Sequence, residues 1–228
     1  PDMLDVSNYF LLWTEDDGLF FSWFKNSVCI TILFTIISVL LSAMVGYGVQ
    51  MYEFRGRKLI IIMIMSTMMI PLETLMIPLY NEVSKMHLLN TYMGVVLPFA
   101  VSAFTIYFFM QFAHSLSHEY MDAARIDGCG EIRIFTKIMG PLMKPAFASM
   151  IILQATTAWN DFLWPLIVMS KNERFTLSVG LQTYLSPYGN NYNLLFAGAV
   201  LSVIPVMILF FLCQNLFMEG MIAGGIKG

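Results

Sequence analysis

Five long stretches of this chain are nearly free of charged side chains, and they constrain its fold more than any other feature of the sequence. About 20 consecutive apolar residues cross the hydrocarbon core of a bilayer as a helix, and every backbone polar group there has to be satisfied within the segment. We therefore predict an all-α, polytopic bundle of transmembrane helices. The predicted spans are residues 26–52, 59–80, 91–112, 145–170 and 193–217.

The composition of the chain agrees with a membrane location. Hydrophobic residues make up 58% of the chain and charged residues 12%, and the mean hydropathy is +0.71, far from the balance of a soluble domain. A net charge of −3 offers no basic surface for nucleic acid, so we predict no such partner. The three cysteines lack metal-ligand spacing, and we predict no metal site.

A mostly polar island at residues 119–141 separates two of the apolar stretches. Its first part predicts a short helix on the membrane surface with one apolar face, ended by Gly128 and Gly130. The residues of that face are Tyr120, Met121, Ala123, Ala124 and Ile126. A second short helix is predicted over residues 131–139, ended by a Gly-Pro pair. Its apolar side consists of Ile132, Phe135, Ile138 and Met139.

The island resembles the Glu-Ala-Ala loop of ABC-transporter permeases. In that pattern a Gly follows Glu-Ala-Ala after three residues, and Ile-x-Leu-Pro follows the Gly after nine more. The chain departs from it at Asp122, which replaces Glu, and at Gly140, which replaces Leu. The resemblance implies that the island couples the spans to a cytosolic ATPase; an amphipathic helix resting on lipid is the alternative. The implied coupling residues are Glu119, Asp122, Ala123, Ala124, Asp127, Gly128, Ile138 and Pro141.

The resemblance extends in order over nearly the whole chain. Segments 69–71, 77–80, 159–165 and 214–220 are similar to those of the carbohydrate-uptake branch, specifically the second permease subunit of sugar importers. This implies a type I ABC importer permease fold and ATP-driven, binding-protein-dependent import of a sugar or oligosaccharide. A sugar phosphate such as glycerol 3-phosphate is an alternative substrate.

The same resemblance implies the partners of the chain. They are a homologous partner permease, two copies of a cytosolic ABC ATPase, an extracytoplasmic sugar-binding protein and membrane lipid. The chain contains no Walker sequence and no catalytic motif, so we predict that it is not an enzyme and binds no cofactor, ATP and Mg²⁺ being held by the ATPase. A secondary transporter would show paired half-repeats with broken helices, and we rank it lower.

The placement of basic residues predicts the orientation of the chain. Four of them lie on one side of the membrane: Lys25, Lys85, Lys171 and Arg174. The other eight lie with the polar island and the C-terminus, which the positive-inside rule places in the cytoplasm. These are Arg55, Arg57, Lys58, Arg125, Arg133, Lys137, Lys144 and Lys227.

A bacterial cytoplasmic membrane location follows, with three regions. We predict an extracytoplasmic segment at 1–24, a transmembrane domain at 25–217 with its coupling loop at 117–140, and a cytoplasmic tail at 218–228. Five spans leave the N-terminus outside. Because the chain starts with Pro1, a further span ahead of it is the simplest account.

Two acids, Glu73 and Asp161, fall inside predicted spans, where a carboxylate usually faces a partner, a cavity or a pathway. Glu73 follows Pro71, which kinks a helix, so it either lines a pathway or braces that kink. Asp161 either lines the pathway or makes a tertiary contact. Aromatic faces and amides bind sugars, although aromatic residues at span ends usually anchor at the interface. The pathway candidates are Glu73, Trp159, Asn160 and Asp161.

A stripe of small residues recurs at four-residue spacing in the first span. It consists of Ser38, Ser42 and Gly46. Small side chains let two helix backbones approach closely in a membrane. We therefore interpret the stripe as a helix-packing face.

Overall fold

A computed structural model describes residues 7–14, 18–186 and 189–225 of the chain. Predictions that involve residues 1–6, 15–17 or 226–228, including Lys227, lie outside the described residues. The described part is helical except for one hairpin of two-residue strands. The predicted all-α class is confirmed.

In the first half of the chain, a break that contains Pro71 separates the first three helices from the next three. α1 is Ser7–Thr14 and α2 is Leu19–Met51, followed by α3 and α4 at Arg57–Thr67 and Leu72–Lys85. α5 is Tyr92–Val96, continued by a 3₁₀ turn at Leu97–Phe99, and α6 is Ala103–His114.

The second half of the chain begins with the polar island. Its helices are α7 (Glu119–Ile126), α8 (Glu131–Ile134), a π-helical turn (Phe135–Met139) and α9 (Gly140–Leu142). The remaining elements are α10 (Lys144–Asn160), α11 (Leu163–Val168), a 3₁₀ turn (Asn172–Arg174), α12 (Leu177–Gln182), β1 (Leu185–Ser186), β2 (Gly189–Asn190) and α13 (Tyr192–Gly225). β1 and β2 are antiparallel, with Leu185 opposite Asn190.

Two helices in the described part, Leu19–Met51 and Tyr192–Leu212, are each long and apolar enough to cross a membrane. Three further helix pairs meet the same criterion jointly but bend at a short break, so the total reaches five if each pair is one span. The predicted span 59–80 breaks at Pro71, where the sequence predicts a kink, and the predicted span 91–112 breaks where no kink was predicted. The first break contains Pro71, which removes a backbone donor and disfavours helical geometry at the preceding residue. The second break lies at residues 100–102, just after the 3₁₀ turn that contains Pro98.

The described chain forms two compact units. The first comprises residues 1–35, 72–99 and 155–211, and the second comprises residues 36–71, 100–154 and 212–228. Each unit has its own apolar core.

In the first unit, side chains of α2 form hydrogen bonds with the backbone of the segment that leads into α12. Trp23 Nε1 donates to the Asn172 carbonyl at 2.8 Å, and Asn26 Nδ2 donates to the Glu173 and Phe175 carbonyls, both at 2.9 Å. A Cβ on Gly180 would lie 2.1 Å from the Trp23 ring. Only glycine therefore lets α12 approach this side chain.

In the second unit, the predicted small-residue stripe packs against another helix. Ser38 and Ser42 are fully buried, and a Cβ on Gly46 would lie 2.7 Å from the carbonyl oxygen of Ile106 on α6. The interpretation of the stripe as a packing face is confirmed. This contact brings the end of α2 beside α6, where the polar island packs.

Candidate coupling site

Helix α7 ends as the sequence predicts, and hydrogen bonds explain why a glycine follows it. The N–H of Gly128 donates to the Arg125 carbonyl at 3.0 Å, and that of Cys129 donates to the Ala124 carbonyl at 2.9 Å. This pair of bonds is a Schellman motif, which requires a left-handed residue after the helix. Gly128 supplies it with a φ of 78°. The coupling candidate Gly128 therefore has a conformational role in the turn.

The apolar residues of α7 divide into two groups, so the prediction of a single apolar face is wrong. Met121 and Ala124 are buried against the ends of α2 and α6. Tyr120, Ala123 and Ile126 are exposed, and Ile126 is 87% exposed. Residues three apart are neighbours on a helix, so these exposed residues form a second stripe beside the buried one.

The second helix of the island extends beyond the predicted stop at Gly140 and Pro141. The chain stays helical through Leu142, and the break comes at Met143. A proline inside a helix lacks a donor and crowds the carbonyl four residues earlier. The π-helical turn at Phe135–Met139 widens the backbone just before Pro141, as such turns do when the regular hydrogen-bond ladder is interrupted.

The burial pattern of this second helix also differs from the prediction. Ile134 and Met139 are fully buried, whereas Ile132 is 82% exposed. Phe135 and Ile138 are partly buried and pack against the same core. Ile132 therefore belongs to the outer surface of the island, together with the exposed stripe of α7.

Charged side chains close the turn between the two helices. Arg125 Nε donates to Glu131 Oε1 at 2.9 Å and Nη2 donates to Oε2 at 3.3 Å, while Nη1 contacts Asp122 Oδ1 at 3.2 Å. The hydroxyl of Tyr52, just after α2, also donates to Glu131 Oε2. These bonds from Arg125 and Tyr52 hold the pKa of the Glu131 carboxyl below its ordinary value.

The other predicted coupling residues lie on the same island. Glu119, Asp127 and Pro141 are exposed, and the Glu119 N–H donates to Ser117 Oγ at 3.2 Å. An open depression continues the surface along the second helix, lined by Gly130, Glu131, Ile132, Arg133, Thr136 and Lys137. The structure thus brings the predicted coupling residues together on one island of the second unit.

Two of the pathway candidates, Trp159 and Asp161, occupy positions where they contribute to the fold of the first unit. Trp159 is buried in the core of the first unit, where its Nε1 donates to the Ser202 carbonyl at 3.0 Å and its ring meets Phe24 edge to face. Asp161 is partly buried and lies just before α11, whose N-cap residue is Phe162, and a carboxylate is favoured at this end of a helix by the helix dipole. Asp161 therefore lies at the start of a helix that the predicted span 145–170 did not separate from α10.

The other two pathway candidates are exposed. Asn160 Nδ2 donates to the Thr156 carbonyl at 2.9 Å within α10. Glu73 lies in the first turn of α4, just after the break at Pro71. A carboxylate at this end of a helix is favoured by the helix dipole, which fits the predicted brace at the kink and leaves the side chain accessible.

Sequence reasoning missed Tyr52 and Glu131. Arg125 and Glu131 are six residues apart and on different helices, so no helical spacing pairs them. The i, i+3 spacing of Met121 and Ala124, by contrast, was available as a signal for the buried stripe. Within the described residues, no group of three His, Cys, Asp or Glu side chains could hold a metal ion.

Comparisons with known proteins agree on one class. The family model described as "Binding-protein-dependent transport system inner membrane component" matches residues 38–222. The arabinooligosaccharides transport system permease protein AraQ of Halalkalibacterium halodurans is 48% identical over 228 residues, covering 100% of this chain and 81% of that protein. The lactose transport system permease protein LacG of Rhizobium radiobacter is 35% identical over 204 residues, covering 90% of this chain and 74% of that protein.

A solved structure has the same fold. It is a chain in the crystal structure of a bacterial ABC transporter involved in the import of the acidic polysaccharide alginate. The TM-score is 0.83 at 26% sequence identity, and the match covers 93% of this chain and 80% of that chain. The type I importer permease fold implied by the resemblance is confirmed.

A stability prediction follows from the position of Asp161 just before α11, where we predict that its carboxylate caps the helix. Asp161→Ala removes both acceptor oxygens, so we expect the free energy of unfolding to fall by about 1 kcal/mol, the usual cost of losing a helix cap. Asp161→Asn keeps one oxygen and caps nearly as well, so it serves as the matched control. Thermal unfolding of the purified protein in detergent measures both. An equal loss in the two variants would show that the charge, and not the cap, stabilises this segment.

Proposed function

The chain belongs to the family of binding-protein-dependent transport system inner membrane components, and on that premise we propose that it imports a sugar or oligosaccharide as the permease subunit of an ATP-driven transporter. It is a multi-pass membrane protein and a transport component, not an enzyme. Family members work with a partner permease, an ATPase and a binding protein. Here the ATPase is present in two copies and binds ATP and Mg²⁺.

The observation that carries the coupling proposal is the exposed apolar surface of the island. Ile126 and Ile132 are 87% and 82% exposed, and Tyr120 and Ala123 lie beside them on α7. Burying one large aliphatic side chain against a partner lowers the free energy by about 1.5–3 kcal/mol. The surface formed by these four residues, called here the coupling surface, therefore has the chemistry of a docking site. Closure of the ATPases around ATP would move it and, through the helices, the spans.

The charges on α7 favour a protein groove over a lipid surface. Helices that lie on membranes are rich in Lys and Arg, which are attracted to anionic lipids. α7 and the residue after it carry Glu119, Asp122 and Asp127 against one cation, Arg125, and that cation is already paired with two carboxylates. Anionic lipid would repel such a helix. The same acids suit a groove whose rim is basic.

A neutral sugar fits the pathway candidates better than a sugar phosphate does. Recognition of a phosphate calls for Arg, Lys or helix N-termini. Of the candidates, Glu73 and Asn160 are exposed and Asp161 is partly exposed, and their two acids and one amide suit hydroxyl groups instead. The names of the two relatives, which specify arabinooligosaccharides and lactose, support the same choice.

The substrate class is tested by uptake into cells that carry the complete transporter. We expect ATP-dependent uptake of labelled arabino-oligosaccharide or lactose, lost on deletion of this subunit and restored by supplying it again. Glycerol 3-phosphate should give no uptake above the deletion strain. Uptake of glycerol 3-phosphate alone would reject the neutral sugar and assign a sugar phosphate.

Docking is tested by Ile126→Asp. Because this side chain contacts little of the protein itself, the substitution should leave folding intact while placing a charge in the apolar surface. We expect co-purification of the ATPase and sugar uptake to fall about tenfold or more, since losing one buried aliphatic contact costs at least about 1.5 kcal/mol. Phe54→Asp, at an exposed residue of the loop after α2, is the control and should keep both. Normal ATPase recovery with Ile126→Asp would contradict the docking surface.

The proposed orientation is cytoplasmic for the island and the C-terminus, from the eight-to-four distribution of basic residues. After Cys29, Cys129 and Cys213 are replaced by Ser, we introduce Lys85→Cys and Lys137→Cys separately; both lysines are exposed. A membrane-impermeant thiol reagent should label the first variant in intact cells and the second only after lysis. The reverse pattern would invert the topology.

A further inference from the structure

We infer that Arg125, Glu131 and Tyr52 form a positioning clamp that locks the coupling surface to the end of α2. The inference rests on the proposed function, because it concerns how a movement received at that surface reaches a span. It assigns these three side chains to transmission within the chain and leaves contact with the ATPase to the exposed apolar residues and the acids of α7.

The first arm of the clamp joins the two helices of the island. Two parallel hydrogen bonds, at 2.9 and 3.3 Å, connect the guanidinium of Arg125 with both oxygens of Glu131. Such a two-point contact fixes the relative orientation of the two groups as well as their separation. Since Arg125 lies in the last turn of α7 and Glu131 is the first residue of α8, the contact spans the Gly128 turn and restrains the angle between the helices.

The second arm joins the island to α2. Tyr52 follows the last residue of α2, and its hydroxyl donates to Glu131 Oε2. The guanidinium carbon of Arg125 lies 5.8 Å from the centroid of the Tyr52 ring, within the range of a cation–π contact. Tyr47, one turn earlier, meets the Tyr52 ring edge to face at 5.9 Å and the Phe135 ring at 4.9 Å. Tyr52 thus contacts both members of the ion pair and the last turn of a span.

The exposure of Arg125 and Glu131 indicates that the clamp fixes the orientation of the two island helices and contributes little to the free energy of folding. The Arg125 and Glu131 side chains are 40% and 51% exposed, and ion pairs at such exposure contribute little to the free energy of folding. The core beneath, which includes Met121 and Ile134, already holds the helices to the unit. What that apolar packing lacks is directionality, and the bidentate pair and the tyrosine hydroxyl supply it.

The hydrogen bonds that Arg125 and Glu131 already make also favour a role within the chain over contact with the ATPase. Arg125 directs Nε, Nη1 and Nη2 at Glu131 and Asp122, while one Glu131 oxygen additionally accepts from Tyr52. Side chains that are satisfied within the chain gain less from a new partner than unpaired ones do. The side chains of Ile126 and Ile132 are 87% and 82% exposed and remain available for the ATPase.

Glu131→Gln and Tyr52→Phe test the clamp in the complete transporter reconstituted in liposomes. Glu131→Gln removes the ion pair, and Tyr52→Phe removes only the hydroxyl while keeping the ring. We expect each to lower uptake of arabino-oligosaccharide per ATP hydrolysed by about two- to fivefold, the range for partly exposed charged contacts, with ATPase recovery unchanged. Because the two residues share one contact, the double variant should lose less than the product of the single losses.

Charge exchange separates a clamp from a direct ATPase contact. Arg125→Glu/Glu131→Arg restores the pair with reversed polarity, and the Tyr52 hydroxyl can then accept from the new guanidinium. We expect this variant to recover uptake per ATP relative to Arg125→Glu alone. Lys144→Gln, at an exposed lysine outside the island helices, is the control for removing a charge and should match the wild type.

A spin-label distance between Ser117→Cys and Glu53→Cys, both exposed, tests the clamp independently of the substrate. We expect a narrow distribution in the wild-type complex that broadens in Glu131→Gln. Unchanged uptake per ATP and an unchanged distribution would overturn the clamp, and so would loss of the ATPase from Glu131→Gln or no recovery on charge exchange. If the wild-type complex fails to transport the sugar, or if Ile126→Asp retains the ATPase, the proposed function fails, and the label distances still decide the clamp.

Discussion

The site depends on the burial of the polar island against the ends of α2 and α6. Met121, Ala124, Ile134 and Met139 fill a core with Tyr47, Met51 and Phe109, and burying several such side chains is worth about 1.5–3 kcal/mol each. Because one stripe of each short helix is used in this way, the neighbouring stripe is left facing outward. The proposed coupling surface therefore follows from the packing, because the stripe that is buried determines which stripe faces outward.

Backbone chemistry sets where the helices begin, end and bend. Gly128 allows the left-handed residue of a Schellman motif, so α7 can stop and α8 can start in a new direction within four residues. Pro141 is accommodated by a π-helical turn, and the bend is moved to Met143. The turn at Gly128 gives the backbone N–H groups of Gly128 and Cys129 hydrogen-bond partners, and Pro141 has no N–H group that needs one. An unsatisfied backbone group is especially costly in a membrane protein, because lipid offers no hydrogen bonds.

The first unit shows how residues suited to chemistry can serve architecture. Trp159 has the ring expected for stacking on a sugar, yet it is buried and its Nε1 donates to a backbone carbonyl. Asp161 has the carboxylate expected in a pathway, yet it lies at the start of α11, where we predict a helix cap. A cap and a pathway wall are compatible roles for a partly exposed carboxylate, so Asp161 remains a pathway candidate. The contacts explain why these residue types are stable at their positions without any ligand.

The sequence by itself determined the membrane class, the family, the existence of a helix–turn–helix island and its glycine-dependent turn, because hydrophobic periodicity, motif spacing and glycine conformation are local properties of a chain. It could not determine which stripe of α7 is buried, why Ile132 faces outward, or that Arg125, Glu131 and Tyr52 meet. Those depend on the approach of α2, made possible by Gly46 against α6, and on partners up to 79 residues apart. Only the tertiary structure brings such groups within hydrogen-bond distance, since no local pattern encodes contacts between separate helices.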